Sequence, residues 1–105
     1  MKPEDFIQKS KELVAQYENT RVKKQIGYTV KGMVEGKTWD RAIMEPEEVY
    51  VVWWSKTLQN AKALLATDRR NGMYYEVTLN GDKQELYFDA YKKESNTAVD
   101  VKGGE

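Results

Sequence analysis

Neither cysteine nor histidine occurs among the 105 residues of the chain. That excludes disulfides, thiolate nucleophiles, Ser-His triads, Cys/His zinc sites and imidazole acid–base chemistry. No stretch approaches the roughly 18 apolar residues of a membrane span, and no apolar run near the start resembles a signal peptide. We expect no membrane association and a cytoplasmic location, where cysteine-free chains are at home. Charge of one sign is missing too: 17 basic residues balance 17 acidic ones. No overall field therefore draws the chain to nucleic acid or anionic lipid. A P-loop and a GxGxxG turn are also absent. Only carboxylates, Lys, Tyr, Ser and Thr remain for catalysis, no motif organises them, and no cofactor is implied. The chain reads as a non-enzyme.

What is present fits one small soluble domain, with 40% apolar and 32% charged residues. Pro3 suits a first helical position, and Glu4 and Asp5 place negative charge at the positive end of a helix dipole. Phe6, Ile7, Leu13, Val14 and Tyr17 then recur at helical spacing, predicting an amphipathic helix that packs on a sheet and stops near Asn19. Weak alternation through Ile26, Tyr28 and Val30, then Trp39, Arg41 and Ile43, predicts an extra β-hairpin from about Gln25 to Met44, turning at Glu35-Gly36. Val49 to Trp54 is an unbroken run of β-formers, the pattern of a central strand buried on both sides. Thr57 to Ala66 is ambiguous: its propensity suits a helix, but it also reads as a turn at Asn60-Ala61 with a returning strand.

The stretch from Val49 to Asn96 resembles a family of small, uncharacterised phage and prophage proteins. "VYVVW", "KTLQN", "KAL", "YYEVT", "NGDK" and "DAYKK" follow one another there as in that family. Residues 20–47 lie outside the resemblance. The family's function is unknown, so no catalytic residue is implied. Bulky and β-branched residues around "KALL" in its members imply a strand over Ala61 to Thr67. The expectation is then an α+β domain over residues 1–95, an N-terminal helix on an antiparallel sheet. Its C-terminal part is a four-strand meander from Val49 to Lys92, followed by a frayed tail over 96–105.

Two Asn-Gly pairs, Asn71-Gly72 and Asn80-Gly81, tolerate the positive φ of tight connections. A two-residue second loop opposes Glu76 to Glu85. A four-residue loop avoids that like-charge pair and sets Val77 opposite Leu86 and Tyr75 opposite Phe88. Parity then places Met73, Tyr75, Val77, Leu79, Leu86, Phe88 and Ala90 under the helix. Tyr74, Glu76, Thr78, Glu85, Tyr87, Asp89 and Tyr91 point the other way. With Trp54 and Lys56 on that side, four aromatic rings would crowd one face, and such clusters mark contacts.

Tyrosines on a sheet also have purely structural uses: they cover the solvated side with the hydroxyl wet, or the hairpin over residues 25–44 folds over this face and buries them. As a site, Trp54, Lys56, Tyr74, Tyr87 and Tyr91 suit a phage accessory protein that binds a host or phage protein, or a second copy of itself. A nucleotide or small-ligand binder, such as a counter-defence sponge, would stack a base there and meet phosphate with Lys56, Arg69 or Arg70. Single-stranded nucleic acid is a variant that the zero net charge and the neighbouring acids disfavour. A carboxylate enzyme would use Glu76, Glu85 or Asp89.

Overall fold

Helix α1 runs over Pro3–Thr29, ten residues beyond Asn19. The computed structural model describes residues 1–29, 43–69 and 71–101. The predicted hairpin is therefore corrected at its start, where residues 25–29 are helical, and its remainder over 30–42 lies outside the described residues. Asn19 stays helical and holds the chain beyond that gap. Its side-chain amide donates to the Met44 carbonyl at 3.0 Å, and its oxygen accepts the Met44 N–H at 2.7 Å.

After a short turn over Pro46–Glu48 come four strands: β1 (Val49–Thr57), β2 (Asn60–Thr67), β3 (Met73–Asn80) and β4 (Glu85–Lys92). They form one antiparallel sheet in the order β1-β2-β3-β4, with α1 on one face, the expected α+β arrangement. Residues 57–67 are strand and turn rather than helix. The turn falls at Leu58-Gln59 instead of Asn60-Ala61, with Leu58 at φ 55°.

The β3–β4 loop has four residues, but they are 81–84, so the expected register is two residues off. Val77 opposes Phe88, Leu79 opposes Leu86 and Tyr75 opposes Ala90. Packing explains the choice. A small alanine faces the large Tyr75, and Phe88 moves to the diagonal, where it stacks on Tyr75 at 5.7 Å between ring centroids. Tyr17 of α1 closes this aromatic cluster, 5.6 Å from Tyr75 and 5.5 Å from Phe88. The cost is that Glu76 opposes Asp89. Lys62 offsets it from β2, with its ammonium 3.7 Å from Glu76.

The two glycines serve different ends. Gly72 has a φ of 72°, which glycine adopts freely. Gly81 is a close approach: a Cβ there would lie 2.6 Å from Gln59 Cβ and closer still to the Gln59 carbonyl. The two turns at that end of the sheet thus pack backbone on backbone.

The core lies between α1 and the sheet. Phe6, Ser10, Val14 and Glu18 form one buried line of i, i+4 neighbours on the helix. It sits against Val49, Ala61, Ala63, Leu65, Tyr75, Val77 and Leu79. Two members of that line are polar. Ser10 donates to the Phe6 carbonyl at 2.8 Å, and Glu18 anchors a network described below.

Candidate functional site

Cross-strand partners in a sheet share a face, so the pairings assign the side chains of the paired residues. On the helix side lie the rows Lys56–Ala61–Leu79–Leu86, Trp54–Ala63–Val77–Phe88 and Val51–Leu65–Tyr75–Ala90. On the open side lie Ser55–Lys62–Thr78–Tyr87 and Trp53–Leu64–Glu76–Asp89. Tyr50 beside Ala66, and Tyr74 beside Tyr91, complete that side.

The expected tyrosine set is brought together, because a register error of two preserves parity: Tyr74, Tyr87 and Tyr91 share the open face. Trp54 and Lys56 do not join them. A β-bulge between Val51 and Trp53 flips the parity of β1, turning Trp53 to the tyrosine side and Trp54 to the helix side. Lys56 instead lines a shallow cleft with Leu58, Gln59 and Gln84, donating its ammonium hydrogen bond to the Leu58 carbonyl. Among the described residues β1 is also an edge strand and not the central, doubly buried one expected. Tyr50, Val52, Trp53 and Trp54 are each between 42% and 49% exposed.

The open face thus displays Tyr50, Trp53, Tyr74, Tyr87 and Tyr91 around Leu64, and among the paired strand residues there it carries three carboxylates, Glu76, Glu85 and Asp89, against one ammonium, that of Lys62. The acids act on the phenols. Tyr87 donates to Glu85 at 2.5 Å, and this hydrogen bond raises its pKa. The charge of Asp89, then that of Glu76, raises the pKa of Tyr91. Both hydroxyls stay protonated at neutral pH and can donate hydrogen bonds.

Arg69 sits elsewhere. Its guanidinium donates to Glu18 at 3.0 Å, as does the Asn71 amide at 3.2 Å and the Tyr75 hydroxyl. Arg21 approaches the same carboxylate at 3.8 Å. Glu18 is 2% exposed. Burial, reinforced by the hydrogen bond to this carboxylate, raises the Tyr75 pKa far above its ordinary value. With its oxygens taken up by protein donors, Glu18 ties helix to sheet and leaves little room for a substrate. Arg70 lies outside the described residues. Among the described residues no cluster of carboxylates is arranged to hold a metal ion, and no helix is long and apolar enough to cross a membrane.

The residues missed in sequence are Tyr50, Trp53 and Leu64 on the open face and Glu18 beneath the sheet. Only a bulge could have revealed Trp53, and "VYVVWW" contains no glycine or proline to mark one.

A family model of unknown function (DUF6275) matches residues 7–101, and the chain belongs to that family. The match runs through residues 20–47, which the resemblance of the sequence motifs leaves out. No curated protein and no solved structure gives a significant match.

Proposed function

We propose that the chain is a non-catalytic accessory protein of phage or prophage origin, cytoplasmic in the host, that binds a protein partner through its open sheet face. One observation carries the reading: Tyr50, Trp53, Tyr87 and Tyr91 stand about half exposed on the side of the sheet that α1 leaves uncovered. Large amphipathic rings that need not cover a core are the side chains that anchor interfaces. Three carboxylates against one lysine favour a partner that brings apolar side chains together with basic ones. The same balance disfavours nucleic acid. The nucleotide reading has weaker support, since Lys56 belongs to the other face and Arg69 reaches Glu18.

The test is capture from host lysate by the tagged chain, with mass spectrometry of bound proteins and released small molecules. Replacing Tyr74 and Tyr87 by serine should lower capture of a bound protein at least about 30-fold, the effect of losing a central anchor worth about 2 kcal/mol. The variant should keep its melting temperature. Capture that survives the substitution, or a variant that unfolds, rejects the face as the site. A released nucleotide would favour the second reading.

A further inference from the structure

The two edges of the sheet are built differently. β4 carries Glu85, Asp89 and Lys92 in eight residues, the charged pattern that keeps an edge from pairing with other strands. β1 carries one charge, Lys56, in nine residues, with no proline or glycine. No other strand among the described residues pairs with its outward backbone N–H and C=O groups, which form a template flanked by exposed Tyr50, Val52, Trp53 and Trp54.

The charges at its ends say what fits there. Exposed Glu47 and Glu48 precede the strand and exposed Lys56 nearly ends it, with an uncharged run between. A second β1 laid antiparallel brings the acidic end of each copy to the basic end of the other, whereas a parallel one sets like against like. The bulge narrows the register, because paired residues must share a face. Centring the two-fold axis between Val51 and Val52 satisfies this for Val49 opposite Trp54 and for Tyr50 opposite Trp53. It also brings Lys56 of each copy to the turn before β1 of the other, where Glu47 and Glu48 stand exposed, twice per dimer.

We propose that two copies of the chain pair through their β1 edges in this antiparallel register, forming one eight-stranded sheet with Tyr50 and Trp53 of both copies at the centre of its open face. The inference goes beyond the partner-binding reading, and neither depends on the other. Nine residues a side fall well short of the 20–30 of a standard interface, so the dimer should be weak, with Kd in the micromolar range.

Sedimentation velocity of the full chain over increasing concentration should show the 12.2 kDa monomer giving way to a dimer. Val52→Lys, which crowds two lysines at the axis, should leave a monomer with an unchanged circular dichroism spectrum. Lys56→Glu turns two attractive contacts repulsive and should weaken the dimer about tenfold, since exposed pairs are worth up to about 1 kcal/mol each. Adding Glu47→Lys to it should restore the dimer, a recovery that a merely damaged fold would not give. A wild type that stays monomeric to about millimolar concentration overturns the proposal. So does a dimer indifferent to Val52→Lys, or a charge swap that fails to restore it. Tyr74→Ser with Tyr87→Ser should leave the dimer intact, which separates this interface from the partner-binding face; a dimer lost with those rings would place the contact on the face instead.

Discussion

Tyr74 and Tyr75 are neighbours in β3 with opposite surroundings. Tyr75 is fully buried between Tyr17 and Phe88, its hydroxyl on a buried carboxylate. Tyr74 lies across from Tyr91 on the side that no helix covers among the described residues. Residue type is the same, so strand parity alone decides which ring is structural. The difference teaches that the abundance of tyrosine in this ribbon has two causes: one face uses the ring as core, and the other keeps rings the core does not need.

The largest test of that contrast is truncation on the buried side. Tyr75→Ala removes a ring at the centre of the aromatic cluster and deprives Glu18 of a donor. It should cost about 3–5 kcal/mol, read as a shift of the urea midpoint. Tyr74→Ala should cost less than about 1 kcal/mol, and equal losses would abolish the distinction between the faces.

Glu18→Ala comes next. It leaves the Tyr75 hydroxyl and the Asn71 amide without this acceptor and takes the Glu18 carboxylate from Arg69. Breaking a buried charged network costs about 3–5 kcal/mol. Arg69 and Arg21 are partly exposed and regain water, so about 3 kcal/mol is expected from chemical denaturation.

Alkaline pH probes the same contact from the other partner. Because the folded state holds the Tyr75 pKa above that of the unfolded chain, its contribution is complete below about pH 10 and is lost as pH rises beyond that. Between about pH 10 and pH 12 the wild type should lose stability more steeply than Tyr75→Phe, which has no proton to release. Parallel curves would mean that Tyr75 ionises freely.

How much of this was legible follows from what each signal depends on. The split of β3 and β4 into two faces has period 2, so it survives a loop placed one residue early. The edge position of β1 does not show, because a run such as "VYVVWW" is apolar whether one side or both are covered. Its bulge follows from pairing with β2 and leaves no local mark. Glu18 is the clearest case. A glutamate at a helical position ordinarily reads as solvated, and the donors that bury it, Arg69, Asn71 and Tyr75, stand 51 to 57 residues away. Asn19 misled in the same way: its modest helix propensity suggests a stop, but its amide is occupied 25 residues on, at Met44.

The smallest expected effect is the one that sharpens the comparison most. Tyr87 lies opposite Thr78 near the start of β4, 43% exposed, and among the described residues its hydroxyl meets only the exposed Glu85 two residues away. Tyr87→Ser deletes a ring whose faces are largely wet and a hydrogen bond that water can replace. What remains is the difference in β-propensity and partial cover of the strand, at most about 0.5–1 kcal/mol. Thermal melts should therefore nearly coincide with the wild type, while capture of a protein partner falls. A melting temperature lowered by more than about 8 °C would mean that this ring carries packing energy like Tyr75, and the open face would then be a second core surface instead of a site.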